Sequence, residues 1–186
     1  MFHSISFINQ MRSAGLETDS NSASSRNFQQ RVVLEEKLRM MSQRLSPDEA
    51  ANSTPVQIKD TSATAELYRL AGLLYLQRVV PTAGDEGRRA AYLQQAFGAL
   101  RTVRVATSPW PIFIIACEAR TEEERAHIFD VLERMDEVRN VGNVRVMRSI
   151  IETIWKQQDL WDSSDKSEAM QWWLCTECSV PAPWFA

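Results

Sequence analysis

Ser108-Pro109-Trp110-Pro111-Ile112-Phe113-Ile114-Ile115-Ala116-Cys117-Glu118-Ala119 is the stretch that decides the fold. Ser108 suits a helix N-cap, and Pro109 then falls at the first helical position. Pro111 lies within the first turn, where amide donors have no helical partner, so its missing N–H costs nothing. Ile112 to Cys117 follow without a polar break. A helix that is apolar all round is packed on several sides. The run is far shorter than the roughly 20 apolar residues that span a bilayer. The expectation is an all-α fold, an irregular array of antiparallel helices around a buried central helix at about 109–119.

Outward from this stretch the pattern stays helical. Upstream, Leu67, Leu70, Ala71, Leu74 and Tyr75 form a wide apolar face, broadened by Leu73 and Leu76. This predicts a largely buried helix over 61–80, ended by Pro81-Thr82-Ala83-Gly84. Asp85 is placed to cap the next helix, which runs to about Ala106 on a stripe of the Arg89 stem, Leu93, Ala96, Phe97, Leu100 and Val103. Arg101 and Arg104 suit its negative C-terminal end.

Downstream, Thr121-Glu122-Glu123-Glu124 reads as a capping box. Ile128, Phe129, Leu132, Met135 and Val138 supply that helix's apolar face. After the turn at 140–143, Val144, Met147, Ile150, Ile151, Ile154 and Trp155 line another helix reaching about Leu160. A last helix is expected over 168–174, where Trp172 and Trp173 cover the end of the array.

Nearer the N-terminus, Leu34, Leu38, Met41 and Leu45 recur at 4-3-4 spacing, so Phe28 to Leu45 reads as an amphipathic helix. The segment 51–60 reads as a linker. The polar run Asp19 to Ser25 buries too little apolar area to offset ordering, so 1–27 is expected to be flexible. The division expected is a flexible 1–27, an amphipathic helix plus linker over 28–60, the main helical body over 61–175 and a proline-containing tail over 176–186.

The 186 residues are 44% hydrophobic and 24% charged, as in an ordinary globular protein. A net charge of −3 argues against a broad basic surface that grips nucleic acid. No run is long enough for a membrane span, and residues 1–16 lack the pattern of a secretory leader. With three cysteines, an odd number, the thiols are expected to be reduced and intracellular.

The motifs that resemble chemistry read more simply as structure. Cys175-Thr176-Glu177-Cys178 has a chelating or redox spacing, but zinc needs about four ligands, and only Cys117, His3 and His127 remain to supply the rest. Inert thiols are the expectation, with a thiol, redox or metal-binding role as the lesser alternative. Cys117 and Glu118 are neighbours on a helix and point about 100° apart, with no oxyanion device beside them. Glu122, Glu123 and Glu124 diverge around a helix and offset its dipole. The arginines at 88, 89, 101 and 104 read as solvated faces. No catalytic, cofactor-binding or metal residue is assigned, no cofactor is expected, and the chain is read as a non-enzyme.

Two stretches carry a family resemblance. Trp110-Pro111-Ile112-Phe113-Ile114-Ile115-Ala116-Cys117-Glu118-Ala119, followed by a charged helix and a helix ending in Trp155, resembles the C-terminal part of the fungal-specific transcription factor domain. That is the helical regulatory region that follows the zinc-cluster DNA-binding domain in fungal activators. Tyr68-Arg69-Leu70-Ala71 with Tyr75-Leu76 is similar to the same family's Tyr-Arg-x-Ala…Tyr-Leu pattern. The resemblance covers about 65–173, and its pattern residues are Tyr68, Tyr75, Trp110, Pro111, Cys117, Glu118 and Trp155.

It implies a nuclear regulator of RNA polymerase II transcription, acting through protein partners, self-association or effector sensing. A stand-alone helical interaction adaptor is the alternative. The family's zinc cluster uses six cysteines in tandem C-x2-C units, a pattern missing ahead of the helical part here. DNA contact is therefore expected only through a zinc-cluster domain absent from this chain. The family's helical domain is also longer, so the resemblance implies an incomplete domain. Helices lacking their usual neighbours, those of 28–45 or 61–80, would then expose apolar faces and favour self-association.

Overall fold

A computed structural model describes residues 6, 8, 10, 21–42, 46–103, 108–139 and 142–162. It is all-α as expected, with no strand among the described residues. The helices are α1 (Asn21–Met40), α2 (Pro47–Ala51), α3 (Pro55–Val79), α4 (Asp85–Leu100), α5 (Pro109–Glu118), α6 (Glu122–Arg139) and α7 (Gly142–Asp162). They fall into two compact units, Met1–Arg104 and Val105–Ala186. The boundary between them falls after Arg104. No helix among the described residues is long and apolar enough to cross a membrane.

The first unit is packed around α3. Every residue from Leu70 to Gln77 is buried, two full turns with no solvent face. Such a helix needs neighbours on several sides. α4 supplies Ala96, Phe97 and Leu100, with Val103 just beyond it, all buried as the stripe predicts. α1 packs on α3 through Leu34 and Leu38, whose burial contributes about 3–6 kcal/mol together. A Cβ added at Gly72 would sit 3.6 Å from both methyl carbons of Leu38, which shows how closely α1 approaches α3 there.

Several boundaries differ from the sequence reading. α1 begins at Asn21 and ends at Met40, against the expected 28–45. Its start thus reaches into the segment read as flexible. α3 begins at Pro55, inside the expected linker, because Thr54 opens it with a capping box. The Gln57 N–H donates to Thr54 Oγ1 at 3.3 Å, and the Thr54 N–H donates to Gln57 Oε1 at 2.8 Å. Pro55 takes the first helical position, where it is tolerated. α4 stops at Leu100, short of Ala106. Asp85 is also not its cap: Gly84 holds that place with φ at 84°, a left-handed conformation open to glycine. Asp85 instead turns its carboxylate back to accept from the Thr82 N–H at 2.7 Å.

The second unit is built on α5, where Trp110 to Glu118 are all buried. Ser108 precedes it in an extended conformation without a side-chain cap hydrogen bond, and Pro109 starts it. α6 opens on the expected capping box: the Glu124 N–H donates to Thr121 Oγ1 at 3.2 Å, and the Thr121 N–H donates to Glu124 Oε2 at 3.0 Å. Ile128, Val131, Leu132 and Met135 bury its inner face. α7 buries Val144, Met147, Ile151, Ile154 and Trp155. The side chain of Val138, the helix expected over 168–174 and the tail over 176–186 lie outside the described residues.

Candidate functional site

Two polar junctions stand out, one in each unit. In the second unit it forms where α7 meets the end of α5. The last four carbonyls of a helix have no partner within it. For α5 these belong to Ile115 through Glu118. The Trp155 indole N–H donates to the Ala116 carbonyl at 2.8 Å, and the Gln158 amide donates to the Cys117 carbonyl at 3.0 Å. Trp155 and Gln158 are three positions apart, so they share one face of α7. Both are buried, at 5% exposure each. A tryptophan and a glutamine thus close the end of an apolar helix that has no polar side chains in its last turns except Glu118.

α6 completes this junction. The Arg125 guanidinium lies 5.3 Å from the Trp155 ring centre and forms a two-pronged pair with Asp159, at 2.9 and 2.6 Å. Hydrogen bonding from Arg125 holds the Asp159 carboxyl below its ordinary pKa. Phe129 meets the Trp155 ring edge-on at 5.2 Å, and Arg148 stacks 4.4 Å above Phe129. Three helices therefore converge on one indole.

In the first unit the junction is ionic. Arg31 of α1 is 1% exposed. Its guanidinium donates to Asp85 Oδ1 at 2.6 Å, to Glu35 Oε2 at 3.3 Å and to Thr82 Oγ1. Arg88 adds a second bond to Asp85 Oδ1 at 2.6 Å. Burial by itself would raise the Asp85 pKa, but the hydrogen bonds from Arg31 and Thr82 and the charge of Arg31 prevail and hold it below the ordinary aspartate value. An open cleft of about 450 Å³ lies over this cluster, walled by Phe28 and Val32 on one side and Thr82 and Ala83 on the other.

The residues singled out in sequence are distributed as follows. Tyr75, Trp110, Pro111, Cys117, Glu118 and Trp155 are buried, and Tyr68 is half-buried. Tyr68 and Tyr75 lie on α3 in the first unit; the others are in the second. Of these, Trp155 and Cys117 meet at the α5 junction, Cys117 through its carbonyl. His127 is half-buried on α6, Glu122 and Glu123 are exposed, and Cys175 and Cys178 lie outside the described residues. Among the described residues no three His, Cys, Asp or Glu side chains gather as a metal site. Arg31, Asp85, Arg125 and Asp159 were not legible as partners. A hint was present in Arg31, which shares the α1 stripe with Leu34 and Leu38 at 3-4 spacing.

The model of the fungal-specific transcription factor domain matches residues 1–185. The chain belongs to this family. The match reaches well beyond the 65–173 stretch that carries the resemblance and takes in α1 and both units. A curated relative, transcription factor iacI of Pestalotiopsis fici, is 31% identical over 121 residues, 64% of this chain and 32% of the relative. The chain thus spans about a third of the length of the curated relative it matches. No solved structure matches.

Proposed function

We propose that this chain is a non-catalytic regulatory region of a fungal zinc-cluster-type transcription factor, acting in the nucleus on RNA polymerase II transcription through protein contacts. The observation that carries this reading is the use made of the polar side chains buried around α5. Trp155 and Gln158 are spent on helix carbonyls, and Arg125 on Asp159 and the indole face. These groups hold helices in a fixed arrangement, as a domain that transmits contacts between proteins requires. Sequence-specific DNA contact belongs to a zinc-cluster module, whose six cysteines exceed the three in these residues. The exposed apolar side chains of α1 (Phe28, Val32, Val33 and Met40) favour protein association.

The test is a reporter assay in yeast with the 186 residues fused to a heterologous DNA-binding domain. The fusion is expected to accumulate in the nucleus and to shift reporter output several-fold, up or down. Trp155→Ala, which removes the cap on α5, should abolish that shift. Output matching the bare DNA-binding domain, at equal nuclear abundance, would overturn the reading.

A further inference from the structure

Three serine or threonine residues of this chain are followed directly by proline: Ser46-Pro47, Thr54-Pro55 and Ser108-Pro109. Each pair opens a helix, with proline at the first helical position, where its missing N–H costs nothing. Their surroundings differ. Ser108 and Pro109 are half-buried, and the next two residues, Trp110 and Pro111, are buried in α5. Ser46 and Thr54 are exposed and bracket α2. Every described side chain from Ser46 to Gln57 is exposed apart from the half-buried Ser53.

The segment 46–54 is also easy to draw out straight. α2 is five residues long, and a helix so short is marginal in water. Its side chains bond locally. Ser46 Oγ donates to Glu49 Oε2 at 2.8 Å, the Ser46 N–H donates to the same oxygen at 3.0 Å, and the Asn52 amide donates to the Asp48 carbonyl at 2.9 Å. Thr54 already has an extended backbone, with φ at −70° and ψ at 155°. A protein kinase holds its substrate extended while it delivers a phosphoryl group to a hydroxyl, and none of the described side chains from 46 to 57 has to leave the core for that. A proline after the acceptor selects among kinases. It has no N–H, so a pocket without an acceptor takes it, whereas any other residue strands a donor there.

We propose that 46–54 is a phosphoacceptor segment for a proline-directed serine/threonine kinase, with Ser46 and Thr54 as the acceptor hydroxyls. In each transfer the acceptor oxygen bonds to the γ-phosphorus of MgATP and the bond from that phosphorus to the β,γ-bridging oxygen breaks. ADP departs, and the hydroxyl proton passes to the kinase's base. The two products differ. On Ser46 the hydroxyl that donates to Glu49 gives way to a phosphate of about −1.5 to −2 charge, which repels the same carboxylate. Hydrogen bonds from the Ser46 side chain and backbone hold the Glu49 carboxyl below its ordinary pKa. Phosphorylation removes the first of these bonds, and α2 opens. On Thr54 the residue three positions on is the neutral Gln57, whose N–H donates to Thr54 Oγ1 at 3.3 Å and finds phosphate oxygens in its place. α3 therefore keeps its start. This inference does not depend on the regulatory reading.

The experiment incubates the full chain with a proline-directed kinase of the mitogen-activated class and MgATP, and maps phosphate by mass spectrometry. Phosphate is expected on Ser46 and Thr54, with Ser108 unmodified in the folded chain but modified in a free peptide of residues 104–114. Pro47→Ala and Pro55→Ala should each slow transfer to the preceding hydroxyl at least about tenfold, since each removes the residue the kinase selects. Hydrogen exchange of the 48–52 amides should quicken once Ser46 carries phosphate, while the amides of α3 stay protected. A chain left unmodified at Ser46 and Thr54 by a kinase that modifies the Ser108 peptide would overturn the proposal. So would an undiminished rate in Pro47→Ala, or Ser108 modified in the folded chain as fast as Ser46. Transfer to Ser46 only by an acidophilic kinase reading Asp48 and Glu49 would assign the segment to another class of enzyme and equally overturn it.

Discussion

The Trp155 indole N–H donates to the Ala116 carbonyl at 2.8 Å, so the side chain of one helix completes the backbone hydrogen bonding of another. Replacing Trp155 with Phe keeps most of the packing and removes the donor. A buried carbonyl then loses one partner, though it keeps the Ala119 N–H at 3.1 Å. The expected loss is about 1–2 kcal/mol. Trp155→Ala also empties the volume between Arg125 and Phe129 and should cost about 3–5 kcal/mol. Urea unfolding followed by circular dichroism measures both, and a Trp155→Phe variant as stable as the wild type would refute the role given to the indole N–H.

Asp85 makes α1 docking sensitive to acid. Its folded pKa is held below the ordinary value, so it contributes stability that is fully present above the unfolded aspartate pKa of about 3.9. That contribution is lost as pH falls further, through the folded pKa. Protection of the α1 amides from hydrogen exchange should therefore be level from neutral pH down to about 4 and fall below it. Asp85→Asn should lower protection at neutral pH and flatten the acid dependence. An unchanged acid profile in that variant would assign the effect to other carboxylates.

Gln77 is fully buried on α3, and neither its Nε2 nor its Oε1 has a hydrogen-bond partner among the described residues. An unsatisfied buried amide costs about 1–3 kcal/mol. Gln77→Met keeps the length of the side chain and removes the polar atoms. It should raise the thermal midpoint of the first unit, an effect a melt by calorimetry resolves. A lowered midpoint would mean that the amide is bonded in solution.

Gly72 lies in the buried middle of α3 facing Leu38. Alanine there would meet the Leu38 methyl carbons at 3.6 Å, an ordinary contact, and would gain up to about 1 kcal/mol in helix propensity. A larger residue would push Leu38 and α1 away. Gly72→Ala should thus stabilise the chain while Gly72→Leu frees α1, seen as faster exchange of the 26–40 amides without loss of α4 protection.

Much of the second unit could be read without coordinates. The proline pair at the start of α5, its unbroken apolar run and the Thr121–Glu124 capping box are local patterns, and each appears as read. The start of α3 was missed although Thr54-Pro55-Val56-Gln57 carries the same kind of signal, because the polar composition of 51–60 suggested a linker. The family resemblance was legible from short motifs, yet those motifs covered mainly buried positions.

What the sequence determined by itself is therefore the helical class, the apolar stripes and two of the caps, all products of forces acting within a few residues along the chain. Tertiary structure alone decided the partners. Arg31 meets Asp85 across 54 positions, Arg125 meets Asp159 across 34, and Trp155 reaches Ala116 across 39. A buried charge or indole N–H accepts whichever complementary group the packing of helices delivers, and no periodicity or spacing in one chain encodes which group that will be.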